Sequence, residues 1–233
     1  MTTENCNLAY TCCQRWASDR SRLALYHEDA QGIRQAHGFW DIQRAANRLS
    51  NALGALGTLR NDRVAIVLPQ RPETGVAHIA CYQMGVTAVP LSPLLSPEKL
   101  AEQLIQAEAR IALVDNLTLA QINALRPSLP KLRHLVGIDG QAASSTGRQA
   151  GVHDWHQLLE YASPRYPMQA TATQAPALLI DTGKGQELLM HDCLAVRLPN
   201  FVRDHDDYPQ DGDLFWSPVE WSTPAGLLGA LLP

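Results

Sequence analysis

The segment LLIDTGKGQELLMH, Leu178 to His191, holds the residues best placed to do chemistry. An apolar, strand-like run feeds a Gly-Lys-Gly turn, and a helix-like segment follows. A turn at a helix start presents unpaired backbone N–H groups and the positive end of the helix dipole, which is how proteins hold phosphate. Lys184 would add a mobile cation between Gly183 and Gly185. The same lysine between two glycines also reads as a solvated turn residue, and the loop is short for a phosphate cradle.

Other chemically suggestive clusters carry less. His153, Asp154 and His156 include one His-x-x-His pair, but no third metal ligand accompanies it, and Asp154 suits a helix cap. RDHDDYPQDGD, Arg203 to Asp213, lacks the spaced ligands and closing Glu of a calcium loop and reads as solvated. The cysteines, Cys6, Cys12, Cys13, Cys81 and Cys193, form no Cys-x-x-Cys pair. Their odd count argues against a disulfide framework and for ordinary reduced thiols.

These residues must be positioned by regular elements, and the pattern alternates. Asp41 can cap a helix whose apolar positions Ile42, Ala45, Ala46, Leu49, Leu53 and Leu56 recur at 3.6 spacing, with Gly57 as its stop. Val64 to Leu68 reads as a buried strand, Pro72 to Met84 as a helix ended by Gly85, and Thr87 to Leu91 as a second strand. Pro90 and Pro93 suggest that this strand sits at a sheet edge or ends early. Ser96 and Pro97 open a further helix with Leu100, Leu104 and Ala107 on its apolar face. Strands at Ile111 to Val114 and Leu135 to Ile138 flank a short helix around Leu117 to Leu125. Strands alternating with helices at this spacing predict an α/β fold, a parallel sheet flanked by helices. Gln141 to Gly151 and Ser163 to Pro176 read as surface connections.

Composition narrows the classes. With 233 residues, 45% hydrophobic and 18% charged, the chain can bury a substantial core. A net charge of −4 gives no electrostatic case for nucleic acid or an anionic membrane. No run is long and apolar enough to span a bilayer and no leader pattern opens the sequence, so a cytoplasmic location is the expectation.

DRVAIVLPQRPE, GVTAVPLSP and FWSPVEW, with the Gly-Lys-Gly turn between the second and third, occur in an order that resembles the first part of the AMP-forming acyl-CoA synthetases, members of the adenylate-forming ligase superfamily. The resemblance runs from about Leu23 to Pro233. Family members carry a loop of the type YTSGTTGPPKG after the strand. Here Asp181, Thr182 and Gly183 stand in place of a segment longer by roughly six residues, the part that wraps a phosphate in N–H groups. Thr182, Gly183, Lys184 and Gly185 are the positions that match the nucleotide-binding loop. His191 follows the turn where family members often have a histidine, but one residue too far along.

The resemblance implies an acid–thiol ligase that activates a carboxylic acid with ATP and Mg²⁺ to acyl-AMP and passes the acyl group to coenzyme A. It matches Trp221 to an aromatic residue beside the acyl site, although Trp221 with Trp216 and Phe215 also reads as core packing. It assigns residues 1–185 to the first α/β region and 186–233 to an incomplete start of a second α/β subdomain, with the barrel and C-terminal domain absent. A truncated fragment of this kind is expected to be inactive by itself. The alternative is a non-catalytic remnant acting at most as a nucleotide- or protein-binding module. The apolar end PAGLLGALLP, with Leu227, Leu228, Leu231 and Leu232 lacking cover, is expected to drive self-association.

Overall fold

The computed structural model describes residues 7–140, 150–204, 210 and 212–233. An antiparallel ribbon, β1 (Leu23–Glu28) and β2 (Arg34–Gly38), leads into α1 (Phe39–Ala55). There follow β3 (Arg63–Val67), α2 (Pro72–Met84), β4 (Thr87–Pro90), α3 (Pro97–Gln106), β5 (Ile111–Val114), α4 (Asn116–Leu125) and β6 (His134–Gly137). Next come β7 (Val152–Asp154), α5 (Trp155–Glu160), β8 (Pro176–Asp181), β9 (Gln186–Met190), α6 (His191–Asp204) and the short α7 (Pro224–Gly226). Strands β3 to β9 form one sheet in the order β7-β6-β5-β3-β4-β8-β9. Every neighbouring pair is parallel except β8 and β9.

Strand alternation divides the core into two layers. Val64, Ile66, Ile111, Leu113, Val136, Leu178 and Ile180 point to one face, where α1, α2 and α6 cover them. Ala65, Val67, Ala112, Val114, Leu135 and Leu179 point to the other, beneath α3 and α4. Both faces of each central strand are therefore apolar, the signature of a parallel sheet covered on two sides. The N-terminal segment plugs the first layer: buried Asn7 donates from Nδ2 to the Tyr82 carbonyl at 2.8 Å and to Thr171 Oγ1 at 2.8 Å.

Local signals set the element ends. Pro72 starts α2, and Gly85 stops it at φ 67°, a conformation that glycine adopts without a Cβ penalty. Ser96 Oγ accepts from Lys99 N at the start of α3 and Asp115 from Thr118 N at the start of α4. In α1 the helix begins at Phe39, and Asp41 reaches back to accept from Gly38 N at 3.0 Å. Pro90 does end β4 early, but β4 is not an edge strand: it runs between β3 and β8 and is buried throughout. Pro90 occupies the last rung, and the ladder resumes with Leu91 N donating to the Ile66 carbonyl at 3.0 Å.

Two further expectations are corrected beyond residue 181. The residues after the Gly-Lys-Gly turn form β9, not a helix, and extend the sheet past residue 185. The apolar end is also covered: Leu227 and Leu232 are buried, Leu228 and Leu231 pack half-buried against the first core layer, and Leu231 lies over Gly75 of α2. Burying these leucines against an existing core removes their apolar surface from water. Just ahead of this end, the described residues Leu214, Phe215, Trp216 and Val219 are exposed large apolar side chains.

Candidate functional site

The connections after β3 and β5 leave the sheet towards opposite faces, α2 into the first core layer and α4 into the second. Diverging connections open a crevice at the carboxyl ends of adjacent strands, the usual ligand position in open α/β sheets. Arg71, at the start of α2 four residues after β3, lies here. Its Nε meets Glu73 Oε2 at 2.9 Å and its Nη1 meets Asp139 Oδ1, beyond β6, at 2.7 Å. The second Asp139 oxygen accepts from Asn116 N, the first residue of α4, at 3.0 Å. Burial pulls on Arg71 in the direction of deprotonation, but the hydrogen bonds and charges of Glu73 and Asp139 outweigh it and hold the guanidinium above its ordinary range. Beside it, Gln70 Nε2 donates to the carbonyls of Ser217 at 3.1 Å and Val219 at 2.6 Å, fastening the 217–219 segment to the loop after β3.

Thr182, Gly183, Lys184 and Gly185 share one turn, the loop of the β8–β9 hairpin that closes on the pair Asp181 and Gln186. Thr182 N and Oγ1 both donate to the Gly185 carbonyl, each at 3.0 Å, and Gly183 N donates to Asp181 Oδ1 at 2.8 Å. Gly183 and Gly185 take φ values of 78° and 127°, which the tight reversal requires. Asp181 Oδ2 is held by Gln103 Nε2 of α3 at 3.0 Å. Lys184 is exposed. The turn thus spends N–H groups on its own closure, sets a carboxylate at its base and has no helix start behind it. Such a site fits triphosphate poorly: two of the turn's N–H groups, those of Thr182 and Gly183, are already engaged within it, and the carboxylate of Asp181 at its base repels an anion. The helix begins at His191, separated from the turn's last glycine, Gly185, by the five residues of β9.

Trp221 is half-buried in the turn ahead of α7, a separate segment from the Gly-Lys-Gly turn. His191 is buried, and its Nδ1 accepts from Leu8 N at 3.1 Å, so it anchors the N-terminal plug. Burial, then the charge of Arg60, lowers its pKa to about 4. Buried His78, whose Nδ1 faces the Tyr82 hydroxyl at 3.0 Å, is pulled down to about 3 by burial. Burial pushes the thiols of Cys12, Cys13 and Cys81 up to about 12, so none supplies a thiolate nucleophile. Asp154 caps α5, accepting from Gln157 N at 2.9 Å, and His153 pairs with His134 at 3.0 Å between Nε2 and Nδ1. Among the described residues no group of three or more His, Cys, Asp or Glu side chains could hold a metal ion. Most of the acidic loop 203–213 lies outside the described residues.

The Arg71–Glu73–Asp139 network escaped the sequence reading. One signal could have found it: Arg71 falls between a buried strand and a Pro-started helix, where the switch-point rule places functional groups.

A family model described as AMP-binding enzyme matches residues 13–183. The acetyl-coenzyme A synthetase of Streptomyces coelicolor is 26% identical over 198 residues, covering 78% of this chain and 30% of that protein. Its Escherichia coli counterpart is 25% identical over 238 residues, covering 93% of this chain and 36% of the relative. Among solved structures, a Brucella canis acyl-CoA synthetase superimposes with a TM-score of 0.82 at 17% identity, over 97% of this chain and 40% of the other. The anthranilate CoA ligase AuaEII, solved in complex with anthranoyl-AMP, gives a TM-score of 0.73 at 20% identity over 87% and 37%. The likeness in fold is therefore extensive, and the chain spans about a third of the length of the curated relatives it matches. No helix among the described residues is long and apolar enough to cross a membrane.

Proposed function

Because the chain belongs to the AMP-binding enzyme family, we propose that it supplies the first α/β region of a ligase that activates a carboxylic acid with ATP and transfers the acyl group to coenzyme A, and that by itself it does not run that reaction. Adenylation brings an anionic carboxylate to an anionic phosphate, so its barrier falls only where donors and cations are pre-positioned around the departing phosphates. The observation that carries the second part is the hairpin at 181–186. Thr182 and Gly183 satisfy Gly185 and Asp181 instead of a phosphate, and the one cation of the turn, Lys184, is exposed. ATP, Mg²⁺ and coenzyme A belong to this proposal as reactants of the whole ligase, with Trp221 as its candidate acyl-site residue. Residues 1–185 carry the first region and residues 186–233 begin the second, joined through the β8–β9 hairpin.

Exchange of labelled pyrophosphate into ATP, with acetate as the first acid because the curated relatives are acetyl-coenzyme A synthetases, tests this directly. The purified 233-residue chain is expected to show no acid-dependent exchange. Exchange that depends on the acid and disappears in Lys184→Ala would overturn the claim of inactivity and restore the turn as a phosphate site.

A further inference from the structure

The opposite edge of the sheet has a charge pattern that the proposed function does not use. Register pairs Val64 with Ile111 and Ile111 with His134, so the residues one step earlier, Arg63, Arg110 and Arg133, stand on one rung of three adjacent parallel strands. Backbone hydrogen bonds confirm the rung: Arg110 N donates to the Arg63 carbonyl at 3.0 Å and Arg133 N to the Arg110 carbonyl at 2.8 Å. Neighbouring strands are about 4.8 Å apart, so the rung sets a cationic side chain at that repeat. With Lys131 these arginines line an open cleft of about 410 Å³ at the amino ends of β3, β5 and β6.

Two carboxylates also line the cleft, and one of them is spent. Asp62 gives both oxygens to Arg110 Nη1 at 2.9 Å, whereas Glu108 is exposed. Arg63 donates to a carbonyl, that of Ala107, at 2.9 Å rather than to a carboxylate. Lys131 and Arg133 are exposed and make no ion pair with a carboxylate among the described residues. Behind them Arg126 is fixed by the carbonyls of Ala150 and Arg133, both at 2.7 Å. In a chain of net charge −4 this is a local excess of unneutralised cations.

We propose that this amino-edge cleft is a binding site for a condensed-phosphate anion, one bearing two or more linked phosphate groups. Guanidinium groups bind phosphate oxygens in a fork geometry, and a row of them favours an anion with several charged groups in line over a single one. The proposal stands apart from the ligase reading, which concerns the other end of the strands. An independent reporter is built in: the His134 and His153 pair adjoins the rung, and both are held below the ordinary range, first by burial and then by neighbouring charges. Those charges are Arg126, Arg133 and Arg110 for His134, and His134 and Arg126 for His153. An anion bound at the rung cancels that field and raises both histidines.

Calorimetric titration of the full 233-residue chain with tripolyphosphate, pyrophosphate and orthophosphate, at ~0.01 M salt where screening is weak, tests the site. Tripolyphosphate is expected to bind saturably and orthophosphate at least about tenfold more weakly. The double variant Lys131→Gln/Arg133→Gln should lose at least about tenfold in tripolyphosphate affinity, whereas Lys99→Gln, an exposed cation on α3, should match the parent. NMR titration of the unaltered chain should show His134 and His153 shifting upward with tripolyphosphate. Equal affinity in the double variant, or histidine titrations indifferent to tripolyphosphate, would overturn the assignment.

Discussion

The two ends of the same parallel strands solve opposite electrostatic problems. At the carboxyl ends polar groups satisfy one another: Arg71 holds Glu73 and Asp139, Asp139 holds the start of α4, and the Gly-Lys-Gly turn closes on Thr182 and Asp181. At the amino ends cations outnumber the carboxylates available to them, and Lys131 and Arg133 face solvent over an open cleft. Family membership directs attention to the first end, yet the larger group of cations without a carboxylate partner lies at the second. A family motif and a working site are separate claims, and the disposition of individual donors decides between them.

The comparison presupposes one rigid sheet joining the two ends, and Leu113→Ala in β5 is the most direct way to break it. Leu113 is fully buried in the first core layer, and removing its isobutyl group should cost about 2–5 kcal/mol. Urea unfolding would measure the loss. A cost near zero would mean that the central strands do not pack as described.

Acid should loosen the face beneath the amino ends next. His191 and His78 are neutral in the folded chain, with values lowered from 6.5 to about 4 and about 3. A depressed histidine pKa means that the unfolded chain binds protons first as pH falls. The stability these groups contribute is therefore complete above about pH 6.5 and is lost as pH falls toward their folded values. Each should cost about 1.4 kcal/mol per pH unit below 6.5, roughly 2 kcal/mol at pH 5. His191→Gln keeps an acceptor for Leu8 N but does not titrate, so unfolding curves between pH 7 and 5 should lose about half of this dependence. An unchanged acid limb would remove His191 from the explanation.

At the carboxyl ends, Arg71→Ala leaves Glu73 and Asp139 without their shared cation in a crevice where all three side chains are only 20–27% exposed. Losing charge-assisted hydrogen bonds of this kind should cost about 2 kcal/mol, less than for a fully buried network because water reaches the site. Thermal unfolding would register it, and the tripolyphosphate affinity of the amino edge should not change.

Much of the frame was legible in the residues. The helix Pro72–Met84 and the strand Ile111–Val114 have the bounds that Pro, Gly and β-branched runs predict, because those signals act within a few residues of chain. β9 was missed because QELLM has no strict alternation. What makes it a strand is the open edge of β8, a partner that local sequence does not name. The centrality of β4 and the cover over Leu227 and Leu232 were missed for the same reason, being set by long-range packing. At the candidate site, the four consecutive residues share one turn, but whether their N–H groups face outward depends on backbone angles at Gly183 and Gly185 that composition leaves open. The arginine rung was invisible because Arg63, Arg110 and Arg133 become neighbours only when the strands align.

The smallest predicted effect is the most discriminating. Lys184 is exposed on a hairpin that its neighbours close without it, so Lys184→Ala should change unfolding free energy by less than about 0.5 kcal/mol. If the turn were a phosphate cradle in this chain, the same substitution would leave stability alone but weaken ATP binding, since the cation opposite the phosphates would be gone. If the turn is the closed hairpin described, both quantities stay put. Calorimetry with MgATP on the parent and the variant separates the two. A measurable ATP affinity that falls in Lys184→Ala would show that the hairpin opens to accept phosphate, and the contrast between the two ends of the sheet would then be one of conformation rather than of composition.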